Sequence, residues 1–88
     1  MRTFAVVVAF TVLSGTALAG PTCTSEPKQK WITEADMKAK AVQLGYKYKI
    51  FKVTVGNCYE IYGQDQKGQR IEVYFHPITG AIVEEHKS

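Results

Sequence analysis

Eighty-eight residues, 45% of them hydrophobic and 22% charged, allow one small domain and no more. Eleven lysines and arginines against eight acidic residues leave a net charge of +3, too even a balance to imply a nucleic-acid partner. The two cysteines, Cys23 and Cys58, lack the Cys-x-x-Cys spacing and the histidine neighbours of a redox or metal pair.

The chain begins with Arg2, a nearly unbroken apolar run from Phe4 to Leu13, and Ala17-Leu18-Ala19. That layout predicts a secretory signal peptide over residues 1–19, cleaved after Ala19 to leave Gly20 as the new N-terminus. The apolar run is about half the roughly 20 residues a membrane span needs, so no stable membrane insertion is expected after cleavage. The expected location is periplasmic or secreted. A chain of residues 20–88 buries only about 60% of its unfolded surface and gains from a staple. In an oxidising compartment Cys23 and Cys58 are expected to form one disulfide, for which the chain-entropy model gives roughly 3–4 kcal/mol.

Residues 20–30, with Pro21 and Pro27, read as an extended lead, and residues 31–84 as a single domain. Trp31-Ile32 opens the core. Thr33 is placed to cap a helix from Glu34 to Leu44, its hydroxyl accepting from the Asp36 N–H, with Glu34 and Asp36 at the positive helix end. Gly45 is the expected stop, at positive φ. Met37, Ala41 and Leu44 form one stripe, expected on the sheet; Ala35, Ala39 and Val42 form a second. Tyr46 to Val55 reads as the first strand with a slip of phase, Tyr46, Tyr48 and Ile50 followed by Phe51, Val53 and Val55. A bulge near Ile50 would bring the sets to one side. Gly56-Asn57 signals a turn, after which either Cys58 joins a three-residue loop or the strand is bulged.

Tyr59, Ile61 and Gly63 alternate with Cys58, Glu60 and Tyr62; Ile71, Val73 and Phe75 alternate with Glu72, Tyr74 and His76. Two strands with one buried face follow. A loop of Gln66 to Gly68, with Gly68 at positive φ, sets Asp65 beside Gln69, Tyr59 beside Phe75, Ile61 beside Val73 and Gly63 beside Ile71. The other face then carries Glu60 beside Tyr74 and Tyr62 beside Glu72. His76-Pro77-Ile78-Thr79-Gly80 is a turn, Ala81 to Val83 a short strand, and residues 85–88 a charged tail. The fold class is α+β: one N-terminal helix on a small antiparallel sheet of three to four strands.

No catalytic constellation emerges. His76 and His86 lack metal-ligand spacing, no serine has an assignable base, and Glu60 with Glu72 fits a solvated sheet face better than a carboxylate pair in a cleft. No metal or cofactor is expected. The lysines of the first half, including Lys47, Lys49 and Lys52, read as solvated sides of a helix and a strand. The feature above background is aromatic: Tyr62 and Tyr74, with Glu60, Glu72 and Arg70 near, on a face whose one candidate cover is the segment around Cys23. Tyrosine beside charge suits recognition; the competing reading is ordinary cross-strand pairing on a wet sheet.

The order of these pieces, a helix ending Leu44-Gly45-Tyr46, then Gly56-Asn57-Cys58-Tyr59-Glu60-Ile61-Tyr62, then Ile71-Glu72-Val73-Tyr74-Phe75 and His76-Pro77-Ile78-Thr79-Gly80, resembles the PepSY domain in its small stand-alone periplasmic form. The resemblance covers residues 23–84. It implies a helix packed on an antiparallel sheet, no catalytic residues, and kinship with domains in the propeptides of thermolysin-like metallopeptidases, for which inhibition or folding assistance is proposed. Where the family has Asp-Pro-x-Thr-Gly, this chain has His76, so any role of that carboxylate is open. The expected function is a small exported module, not an enzyme, that binds protein and modulates or inhibits peptidases of the cell envelope, as a monomer or weak dimer. The alternative is a structural or envelope-assembly accessory with no peptidase partner.

Overall fold

A computed structural model describes residues 20–88; the expected signal peptide lies outside the described residues. The lead carries a short 3-10 turn at Lys28–Lys30. Helix α1 spans Glu34–Gln43. Strands β1 (Lys47–Val53), β2 (Tyr59–Gln64), β3 (Arg70–Phe75) and β4 (Ile82–Lys87) form one antiparallel sheet in the order β1-β2-β3-β4. The architecture is α+β, with the helix N-terminal to the strands.

Local chemistry accounts for most boundaries. The Thr33 hydroxyl accepts from the Asp36 N–H at 3.1 Å, satisfying one of the free donors of the first helical turn. The helix stops at Gly45, whose φ of +96° is open to glycine at little cost. Both hairpins of β1–β3 use the same three-residue loop. In the second, Gly68 takes φ +81° and Asp65 pairs with Gln69 through a 2.9 Å backbone bond. The Asp65 carboxylate accepts from the Lys67 and Gln69 N–H groups, each at 2.9 Å, and the Gln69 bond foremost holds it below its ordinary pKa. In the first, Thr54 pairs with Cys58 and Asn57 takes φ 62°. The third loop residue is therefore Val55, not Cys58, and Val55 is 90% exposed at the tip.

The β2–β3 register is the expected one, from Tyr59 opposite Phe75 to Gln64 opposite Arg70. The expected bulge is present between Tyr48 and Ile50. It places Tyr48, Phe51 and Val53 against the core but does not bring both sets to one side as expected. The register passes from Tyr48 opposite Gly63 to Ile50 opposite Tyr62, so Ile50 takes the outer face of Tyr62, and Val55 lies in the loop. Gly63 faces this bulge so closely that a Cβ would run into the Lys47 carbonyl and the Tyr48 backbone.

The core lies between α1 and one face of the sheet: Met37 and Ala41 meet Tyr46, Tyr59, Ile61, Ile71, Val73 and Phe75, with Trp31 at one end. Trp31 meets Tyr59 edge-on at 5.4 Å between ring centroids, and the Tyr59 hydroxyl donates to the Ile32 carbonyl at 2.6 Å. The Trp31 indole donates to the Glu26 carbonyl at 3.0 Å, so both buried aromatics have their polar ends satisfied. Leu44 corrects one expectation. It is 45% exposed, because the helix has ended at Gln43 and Tyr46, whose N–H donates to the Ala41 carbonyl at 3.1 Å, is the residue that returns to the core. Ala35, Ala39 and Val42 face solvent.

The C-terminal end corrects another. Residues 85–87 are not a tail but the end of β4, paired from Ile71–Lys87 to Phe75–Ile82. The His76–Gly80 turn joins β3 to β4. Its histidine does what a carboxylate would do there: His76 Nδ1 accepts from the Ile78 and Thr79 N–H groups at 3.2 and 3.4 Å. Pro77 beneath it is fully buried and its carbonyl accepts from Ile32 N–H at 2.8 Å, tying the turn to the start of the helix.

Candidate functional site

Alternation along the strands puts two cross-strand rows on the face away from α1. Lys52, Glu60, Tyr74 and Glu84 are register partners in one row; Ile50, Tyr62, Glu72 and His86 are partners in the other. The five residues expected to form a recognition face are thereby divided. Glu60 and Tyr74 belong to the first row and are buried, at 2% and 8% exposure. Tyr62 and Glu72 are half-buried in the second row, and Arg70, paired with Gln64 one row further along the same face, is exposed.

The lead makes the difference. Cys23 and Cys58 are bridged, with Cα atoms 5.2 Å apart. The Cys23 N–H donates to the Gly56 carbonyl at 2.8 Å, and the Asn57 amide to the Thr24 carbonyl at 3.2 Å. Gly56 lets the two backbones meet, since a Cβ there would run into Pro21. From this anchor the chain runs back over the first row until Gly20 rests on the Tyr74 ring. Tyr74 and Glu60 therefore cannot serve as an open recognition surface. The sequence admitted this cover at Cys23 but carried no sign of where residues 20–22 would lie.

Burial shows in the chemistry of the row. Tyr74 is pushed up to about 12, by burial first and then by the neighbouring Glu60 carboxylate. Glu60 is itself raised, because burial outweighs the Tyr74 hydroxyl, Lys52 and the Tyr62 hydroxyl, all of which favour the carboxylate. Lys52 Nζ stands 3.8 Å from Glu60 Oε1 and 5.1 Å from the centre of the Tyr62 ring. A small cleft of about 240 Å³ opens beside them, bounded by Thr54 and Val55.

The second row is open. It floors a groove of about 600 Å³ across the four strands, at the end of the sheet away from the disulfide. Ile50, 50% exposed, and the face of Tyr62 give it an apolar centre. Lys47, Lys49 and Arg70 give it a basic rim, opposed by Glu72, while Lys87 at one end stands beside Ile71 and its ammonium is 4.0 Å from the Asp65 carboxylate. His86 closes one side, held by Glu84 at 3.0 Å and edge-on to Tyr74 at 6.2 Å. Ile50, His86 and the rim lysines were not among the candidate residues of the sequence. The phase slip marks Ile50 as irregular, but the pattern points it to the core side, so it had no signal of its place in the groove; His86 had none either, because its strand was not recognised. Among the described residues no group of three or more His, Cys, Asp or Glu is arranged to hold a metal ion. Among them, too, no helix is long and apolar enough to cross a membrane.

Compared with known proteins, the chain matches the model of the peptidase propeptide and YPEB domain over residues 3–86. No curated protein and no solved structure matches it.

Proposed function

The chain belongs to the peptidase propeptide and YPEB domain family, and on that premise we propose that it is an exported, non-catalytic binding module that engages a peptidase of the cell envelope through the open groove. The observation that carries this reading is the groove itself, about 600 Å³ with an apolar centre at Ile50 and Tyr62 and a basic rim. A concave surface with few convergent polar groups is what a peptide-like segment requires. Tyrosine and arginine are the residue types that most often anchor such contacts. Three basic side chains, Lys47, Lys49 and Arg70, around one carboxylate favour an acidic partner segment. A protein partner fits the module; nucleic acid does not, since the cations frame a tyrosine and an isoleucine rather than a continuous basic track.

The test uses the disulfide-bonded chain 20–88 against a panel of envelope peptidases. Slower cleavage, lost on Tyr62→Ala and Arg70→Glu with the fold intact, is the expected result. Unchanged rates for every peptidase at tens of micromolar would refute the reading and leave the structural accessory as the alternative.

A further inference from the structure

Glu60 is the one charged side chain in the buried set among the described residues, and its Oε2 has no hydrogen-bond partner. Lys52 reaches only Oε1, at 3.8 Å and from a half-exposed position. A buried carboxylate oxygen without a donor is costly and rarely kept without a reason. A second observation comes from the lead. Gly20 has φ +78°, and its Cα presses so closely on the phenol end of Tyr74 that a Cβ would lie 2.8 Å from Cε2, Cζ and Oη. Tyr74 is the cross-strand partner of Glu60, and its hydroxyl lies at the Glu60 carboxylate. The backbone nitrogen of Gly20 is about 1.5 Å from its Cα and about 2.5 Å from that Cβ position, which sets it within about 5 Å of the Tyr74 hydroxyl. The bridge at Cys23 and the Gly56 and Asn57 bonds hold the lead in place.

In the unprocessed chain that nitrogen is a neutral amide. Hydrolysis of the Ala19–Gly20 bond changes it: the water oxygen goes to the Ala19 carboxylate and both water protons to the Gly20 nitrogen, giving an ammonium with three donors. We propose that processing after Ala19 completes the fold, the new α-ammonium of Gly20 pairing with Oε2 of Glu60 and latching the lead over the Lys52–Glu60–Tyr74–Glu84 row. The latch rests on the signal-peptide reading and is independent of any peptidase partner. The charged and titratable groups around it are Lys52 from β1, Tyr62 from β2, Glu72 and Tyr74 from β3 and Glu84 from β4. The lead from Gly20 to Thr24 brings no side-chain charge, its cysteine being bridged, so the backbone ammonium is the cation it can offer. Glycine at this position answers both the positive φ and the contact with Tyr74.

The exported protein is first checked by mass spectrometry to begin at Gly20; any other start overturns the proposal. Disulfide-bonded chain 20–88 is then prepared with a free and with an acetylated Gly20 amine, each with Glu60 and with Glu60→Gln. Acetylation is expected to lower the folding constant at least tenfold with Glu60 and less than twofold with Gln. Acylation of the α-amine at pH 7 is expected to run at least tenfold slower with Glu60 than with Gln. Equal effects in the two backgrounds overturn the latch. If Glu60→Gln does not fold, the native chain is compared with a free peptide of the lead sequence. Tenfold protection of the native amine supports the latch, and equal acylation rates overturn it.

Discussion

Replacing Tyr74 by alanine removes a ring that is 8% exposed between the sheet and the lead. An enclosed tyrosine buries on the order of 150 Å². At about 25 cal/mol per Å² that is about 4 kcal/mol, an upper figure because the unfolded chain hides some of the same area. Two corrections have opposite signs. The lead is short and can settle into the space, which lowers the cost. Glu60 loses the hydroxyl beside it while remaining buried, which adds about 1 kcal/mol. The net expectation is about 3–4 kcal/mol, a large part of the stability of so small a domain. Tyr62→Ala, on the same face but in the open row, should cost about 1 kcal/mol, the scale of a cross-strand pair. Urea unfolding of the disulfide-bonded chain 20–88 measures both. With a slope near 1 kcal/mol/M, Tyr74→Ala moves the midpoint by about 3 M and Tyr62→Ala by about 1 M. Equal small shifts would mean that the lead does not cover the row and that Tyr74 is the exposed tyrosine its alternation suggested.

Removing the bridge with Cys23→Ser and Cys58→Ser should cost roughly 3–4 kcal/mol and release the lead; thermal unfolding with and without reductant measures it, and an unchanged midpoint refutes the staple. His76→Asp should fold as well as the parent, since a carboxylate oxygen can take over the Ile78 and Thr79 N–H groups. His76→Ala should lose about 1 kcal/mol, and equal stability of all three would show the acceptor to be idle. Tyr46 is pushed up to about 12 by burial and by its 3.0 Å bond to Glu85, as Tyr74 is by burial and Glu60. Both folded values lie above the unfolded value near 10, so the stability they contribute is full below pH 10 and is lost as the pH rises through 12. Alkaline titration followed by phenolate absorbance should show a late step to which Tyr46 and Tyr74 contribute, Tyr59 being raised by burial as well; a single step for all five tyrosines near pH 10 would contradict it.

Much of the helix-facing side was legible in the residues because short-range rules decide it. The Thr33 cap, the Gly45 stop and the Gly68 turn each depend on a few neighbouring residues. Once Gly68 set the loop, alternation left a single consistent register for Tyr59, Ile61, Val73 and Phe75. The phase slip at Ile50 was visible for the same reason. What the sequence could not decide was cover. Alternation sorts side chains to two faces but does not say whether a face meets water. Tyr74 is covered by Gly20, a residue distant in sequence and brought over the sheet by the Cys23–Cys58 bridge, and its cross-strand partner Glu60 is buried beside it. Leu44 lay on an apolar stripe yet faces out, because the turn into Tyr46 determines which side chain reaches the core. Residues 85–87 carried no apolar alternation, since an edge strand is held to β3 by backbone bonds while Glu85, His86 and Lys87 remain in solvent. The local pattern thus determined the helix, the first three strands and the β2–β3 pairing. Tertiary structure alone decided which row stayed open as a groove, because that depends on where the disulfide-anchored lead comes to rest.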